Sequence, residues 1–131
     1  MTSEAPDELS VRLADLESAV ARLHAALAQP KSEWIRDAAI QRFEFTFELA
    51  WKSVAAAARR QGVEVASPRR AWQAAFRLRW IDDDRLWLDM LEDRNRASHS
   101  YREATAEKIF ARLGKYAGAI SSLLGVLRRE Q

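Results

Sequence analysis

Apolar residues recur along this chain at helical spacing. Between Asp7 and Gln29 they fall at Leu9, Leu13, Leu16, Val20, Leu23 and Leu27, a 4-3-4-3-4 rhythm that draws one stripe down a helix. The same rhythm returns at Ile109, Leu113, Tyr116, Ile120, Leu123 and Leu127, predicting a last helix from about Glu103 that pairs with the first. Gly114, Gly118 and Gly125 weaken that helix and suggest a close helix approach. No segment alternates apolar and polar residues as a half-buried strand does.

Between these two stripes the pattern predicts three more helices. Pro30 ends the first helix, and Ser32 is a natural N-cap for a second running to about Gln61, with Gly62 as its left-handed stop. Ile40, Phe43, Phe47, Ala50, Trp51 and Val54 fill one broad face of this second helix. Ala38, Phe45 and Leu49 form another apolar strip, and Asp37, Gln41, Glu44, Glu48 and Lys52 make a polar wedge between the two. A helix apolar on two sides packs between neighbours, so this one is expected to be the most enclosed. Ser67-Pro68 opens a third helix that offers Trp72, Ala75 and Phe76 to the core. Asp82-Asp83-Asp84 starts a fourth, with Leu86, Trp87, Met90 and Leu91 pointing inward. The expected fold is all-α: an up-and-down antiparallel bundle of about five helices, one domain over residues 1–131 with a loose tail at 1–6.

Composition agrees with a bundle and narrows the chemistry. Hydrophobic residues make up 48% of the chain while glycine (4) and proline (3) are scarce, as in helical proteins. With no cysteine, disulfides and thiolate metal sites are excluded. No apolar run approaches about 18 residues, so neither a membrane helix nor a secretory signal is expected, and the chain reads as cytoplasmic. A net charge of +2 is too small to drive nucleic-acid binding by bulk electrostatics.

One stretch concentrates reactive groups: Asp93-Arg94-Asn95-Arg96-Ala97-Ser98-His99-Ser100-Tyr101. Arginine binds phosphate, histidine moves protons near neutrality, and a phenol accepts modification. His99 is one of two histidines; the other, His24, lies in the first stripe without comparable company. Arg94 extends the apolar stripe of the fourth helix, an unusual place for a solvated cation. On a regular helix Arg94 and His99 point about 140° apart with a rise of about 7.5 Å. To address one phosphate together they need either a loosened helix near Ser98 or an arginine from a second subunit. The structural alternative is that His99 caps a helix C-terminus and Arg94 pairs with Glu44, Glu48 or Asp93. Glu44 and Glu48 share a face with Lys52 and have no histidine at ligand spacing, so no metal site is expected. Phosphate loops, dinucleotide fingerprints and Ser-His-Asp sets are missing from the sequence.

Arg94-x4-His99-x-Tyr101 resembles the R-x4-H-x-Y signature of HEPN domains. The segments Ile40 to Lys52 (IQRFEFTFELAWK) and Asp89 to Asn95 (DMLEDRN) resemble the branch called nucleotidyltransferase substrate-binding proteins, and the likeness runs from about residue 12 to 127. The resemblance implies a homodimeric helical bundle encoded beside a minimal nucleotidyltransferase. In characterised relatives the pair is a toxin–antitoxin module in which the HEPN subunit is a metal-independent endoribonuclease acting on RNA. The transferase silences it by placing AMP on the signature tyrosine. Carried over by motif position, His99 is the general acid or base, Arg94 holds the scissile phosphate, Asn95 orients the site and Tyr101 accepts AMP. No cofactor is implied. The alternative within the same branch is a non-catalytic adaptor that presents substrate to the nucleotidyltransferase.

Overall fold

A computed structural model of the chain describes residues 7–99 and 102–131. Five helices follow one another: α1 (Glu8–Leu27), α2 (Glu33–Arg60), α3 (Pro68–Arg77), α4 (Asp84–His99) and α5 (Glu103–Arg128). Four of the starts carry a side-chain cap that satisfies an orphan amide of the first turn. The Ser10, Ile35, Arg70 and Leu86 amides donate to Asp7, Ser32, Ser67 and Asp83 at 2.8, 3.0, 3.3 and 3.1 Å.

Two of the ends close by the same backbone device. After α2, Gly62 takes a left-handed φ of 81°, the Val63 amide donates to the Ala58 carbonyl and the Gly62 amide to Arg59. After α3 the same pair of bonds, Trp80 to Ala75 and Arg79 to Phe76, turns on Arg79 at φ 63°. A left-handed backbone costs a non-glycine residue about 1–2 kcal/mol. Burial of Trp80 and Ile81 immediately afterwards holds the turn in place.

Helix α2 touches every other helix, although one of its two apolar strips is left uncovered. α1 lies against α2 and α5, α3 against α2 and α4, and α4 against α2 and α5. The two 4-3-4-3-4 stripes meet where α1 packs on α5. Large side chains with under 2% exposure mark the centre, Phe43, Phe47, Trp72, Met90 and Leu113 among them, and Tyr116 lies beside them at 2%. Their rings form a chain across the bundle. Trp87 and Trp72 centroids lie 4.5 Å apart, Trp72 and Phe47 5.5 Å, Phe47 and Phe43 6.2 Å, and Phe43 stacks on Tyr116 at 5.5 Å.

Several side chains depart from the expected core. Phe45 is 65% exposed and Phe76 46%, while Leu49, Trp51 and Leu86 are only half-buried. The strip of Ala38, Phe45 and Leu49 faces outward because α1 and α4 pack on the flanks of α2 rather than over it. Nor do the α5 glycines mark a close approach: a Cβ at Gly114, Gly118 or Gly125 meets no atom within 4 Å outside the helix itself. Among the described residues no helix is long and apolar enough to cross a membrane.

Candidate functional site

Residues 93–99 of the reactive stretch occupy the last turns of α4, which lie against the polar wedge of α2. α4 remains helical through His99. The loosening near Ser98 that would bring Arg94 and His99 onto one side does not occur, so within one chain the two diverge.

Arg94 is held from several directions. Its side chain is 24% exposed, Nη2 lies 3.3 Å from Glu48 Oε2, and Nη1 donates to Asn95 Oδ1 at 3.3 Å. The guanidinium carbon sits 5.1 Å from the Phe47 ring centroid, a cation–π contact on the core. Glu48 also faces Lys52 at 3.4 Å, so one carboxylate serves two cations. One turn on, the Ser98 hydroxyl reaches Glu44 Oε2 at 2.9 Å and the Arg94 carbonyl at 3.1 Å. Asn95 and His99 are exposed at the helix end. Tyr101 lies outside the described residues. His24 points away from this region, its Nε2 lying 3.1 Å from Ser121 Oγ across the α1–α5 seam.

Two charged clusters around the site escaped sequence reasoning. Asp93, fully buried, accepts both Arg112 Nη1 contacts at 2.8 Å, the Tyr116 hydroxyl at 2.5 Å and Arg96 Nη1 at 3.1 Å. Burial first, and then the hydrogen bond to Asp93, push the Tyr116 phenol above its usual range. The second cluster centres on Arg36, 5% exposed, on the core-facing side of α2. Its Nη1 donates to Glu103 at 2.9 Å and Glu107 at 3.0 Å, and its Nε to Asp37 at 3.0 Å. Those bonds hold the guanidinium well above the ordinary arginine range. Lys31, 2.6 Å from Glu107, contributes first and Arg36 second to keeping that carboxyl below its usual value. The signal for both clusters was present in the pattern. Arg36 falls in register with Ile40 and Phe43, and Tyr116 falls within the α5 stripe, so each polar tip needed a partner from another helix.

Beside the α4 terminus a groove of about 720 Å³ runs between α2 and the start of α5. Its walls include Glu33, Asp37, Glu44 and Glu103 against the single cation Arg36. A phosphate entering this groove meets net negative charge. Among the described residues no cluster of three or more histidines and carboxylates is placed to hold a metal ion.

Comparison with known proteins places this geometry. Among curated proteins none is significantly similar to the chain. The structure resembles the crystal structure of a Thermus thermophilus protein, with 42% identity and a TM-score of 0.82 over 87% of this chain and 99% of that one. It also resembles a Haemophilus influenzae protein described as having the fold of a substrate binding domain of a nucleotidyltransferase. There the identity is 25% and the TM-score 0.67 over 92% of this chain and 96% of that one. Residues 11–129 match the family described as nucleotidyltransferase substrate binding protein like, and the chain belongs to that family.

Proposed function

We propose that this chain is the non-catalytic substrate-binding subunit of a two-component nucleotidyltransferase, presenting an acceptor to a separate transferase chain. The observation that carries this reading is the state of Arg94. A phosphate-gripping arginine needs a guanidinium edge open to the ligand. Here Glu48 and Asn95 occupy the edge, Phe47 covers one face, and the neighbouring groove is lined by acids. That arrangement ties α4 to α2 and repels an RNA backbone. It suits a subunit whose task is recognition and docking, with the acid-lined groove open to cationic groups of the acceptor or the transferase.

The test is co-expression with a minimal nucleotidyltransferase from the same genome. A stable complex is expected, with nucleotidyl transfer that depends on this chain and survives His99→Ala. A transferase that works equally well alone refutes the reading.

A metal-independent endoribonuclease is the second reading, favoured by the exposure of Asn95 and His99 at the α4 end and by the R-x4-H-x-Y signature of HEPN toxins. There a 2′-hydroxyl attacks the adjacent phosphate and forms a 2′,3′-cyclic phosphate as the bond to the 5′-oxygen of the next nucleotide breaks; His99 takes the hydroxyl proton or protonates the leaving oxygen, and Arg94 offsets the developing charge. AMP placed on Tyr101 adds a negative charge that competes for the arginine and silences cleavage. This requires Arg94 to leave Glu48, or to act on a site shared with a second copy. RNA cleavage by the isolated chain in EDTA, lost in His99→Ala, decides for this reading. Its absence, with no toxicity on expression without the transferase, decides against.

A further inference from the structure

α2 separates two grooves of opposite character. The one beside the α4 terminus is lined by acids. On the α1 side of α2 lies a second groove of about 730 Å³, floored by Ala19 and Ala38, with Phe45, Arg22, Arg42 and Asp15 on its walls. A groove of this size fits a small organic molecule. Its walls set two cations against one carboxylate, so it favours an anion.

Arg22 and Arg42 meet the condition that Arg94 fails. Arg42 Nη1 donates to the Arg22 carbonyl at 2.8 Å, a neutral acceptor that fixes the guanidinium without cancelling its charge. Among the described residues no carboxylate lies within ion-pairing distance of either arginine. Two guanidiniums at one level of one groove suit a phosphate.

Helix geometry fixes what lies beyond the arginines. Asp15 and Arg22 are seven residues apart on α1, so they share a face and stand about 10.5 Å apart along the axis. The Thr46 hydroxyl lies 3.3 Å from the Ala19 carbonyl, which places this turn of α2 between them. Phe45 belongs to that turn and is 65% exposed, so an aromatic surface is open at the middle of the groove. The order along the groove is therefore arginine pair, aromatic ring, carboxylate. A nucleotide carries the complementary groups in the same order: a phosphate, a base that stacks on an aromatic ring, and a base edge. The carboxylate selects among bases. Guanine offers it two adjacent donors, N1–H and the N2 amine, whereas adenine and cytosine set a ring acceptor beside their amine and uracil flanks its one N–H with carbonyls.

We propose that the α1–α2 groove binds a guanine nucleoside monophosphate, its phosphate on Arg22 and Arg42, its base on Phe45 and its Watson–Crick edge on Asp15. The site is separate from the α4 terminus. It is also independent of the substrate-binding reading, because the isolated chain binds the nucleotide without a transferase.

The experiment is isothermal titration calorimetry on the full chain with GMP, AMP, guanosine and ribose 5-phosphate. GMP is expected to bind most tightly, and each of the other three, lacking one of the matched groups, more weakly. Phe45, Arg22 and Asp15 are exposed, so substitutions there keep wild-type helicity, checked by circular dichroism. Phe45→Ala is expected to weaken GMP binding by about tenfold or more, the effect of losing a stacking ring, and Phe45→Tyr to keep it. Arg22→Gln weakens GMP but leaves guanosine unchanged. Asp15→Asn replaces an acceptor pair by one acceptor and one donor, which matches the adenine edge, so the preference is expected to move from GMP toward AMP. No heat with GMP at millimolar concentration overturns the proposal. So does ribose 5-phosphate or guanosine binding as tightly as GMP, or GMP binding indifferent to Phe45→Ala and Arg22→Gln. An Asp15→Asn chain that keeps the wild-type ratio of GMP to AMP overturns the assignment of guanine.

Discussion

Removing the Asp93 carboxylate is expected to be among the most damaging single changes outside the aromatic core. Asp93 has no exposed surface and joins α4 to α5 through Arg112 and Tyr116. Two costs arise in Asp93→Ala. Tyr116, 2% exposed, keeps a hydroxyl with no acceptor, and a buried unsatisfied polar group costs about 1–3 kcal/mol. Arg112 and Arg96 lose their partner, but their side chains are 44% and 54% exposed and rehydrate, so their share is nearer that of a surface pair, about 0–1 kcal/mol each. Together the loss is about 1–5 kcal/mol, reaching at its upper end the roughly 3–5 kcal/mol typical of a broken buried pair. The assay is urea denaturation followed by far-ultraviolet circular dichroism. Tyr116→Phe in the Asp93→Ala background removes the orphaned hydroxyl and is expected to recover about 1–2 kcal/mol. If Asp93→Ala loses less than about 1 kcal/mol, or the two changes add without coupling, the network is not what joins the helices.

Three further outcomes follow from the packing. Phe47→Ala is expected to lose about 3–5 kcal/mol, because its ring is fully buried among Phe43, Trp72 and the Arg94 guanidinium; a loss below about 1 kcal/mol in the same titration contradicts that placement. Gly118→Ala is expected to raise stability by about 0.5–1 kcal/mol, since the position is helical, exposed and open to a methyl group, and a lower melting temperature is the contrary result. The Tyr116 phenol, raised by burial and by Asp93, binds its proton more tightly folded than unfolded. Its contribution is therefore complete below the unfolded phenol value of about 10 and is lost as pH rises toward the folded value. Chemical denaturation across that alkaline range should show a steeper decline in the wild type than in Tyr116→Phe.

The bundle was legible wherever one face of a helix settles its own environment. The stripes of α1 and α5, the Ser67-Pro68 start of α3 and the Gly62 stop of α2 depend on local periodicity and local backbone chemistry, and all are found in the structure. Errors gathered where the answer depends on which neighbour arrives. Phe45 and Phe76 look like core residues in sequence, yet no helix of the single chain covers them. The periodicity puts Arg36 in register with core residues but does not say what meets it or Asp93; α5 delivers Tyr116, Arg112, Glu103 and Glu107 to them. At the candidate site, the position of Arg94 on the apolar side of α4 and its pairing options were readable. Only the fold shows that Glu48 holds it and that α4 stays helical to His99.

The line of rings from Trp87 through Trp72, Phe47 and Phe43 to Tyr116 also makes the molecule its own optical probe. Indoles with centroids 4.5 Å apart and tilted by 41° couple their electronic transitions, so the Trp72–Trp87 pair should dominate the near-ultraviolet circular dichroism of the folded state. Trp34, open to water at the start of α2, contributes little to that spectrum and emits at longer wavelength than the buried indoles. Among the five tryptophans, the Trp72–Trp87 pair and Trp34 thus give two distinguishable signals. One reads whether the interior is assembled, and the other reads whether something has settled on the outer face of α2.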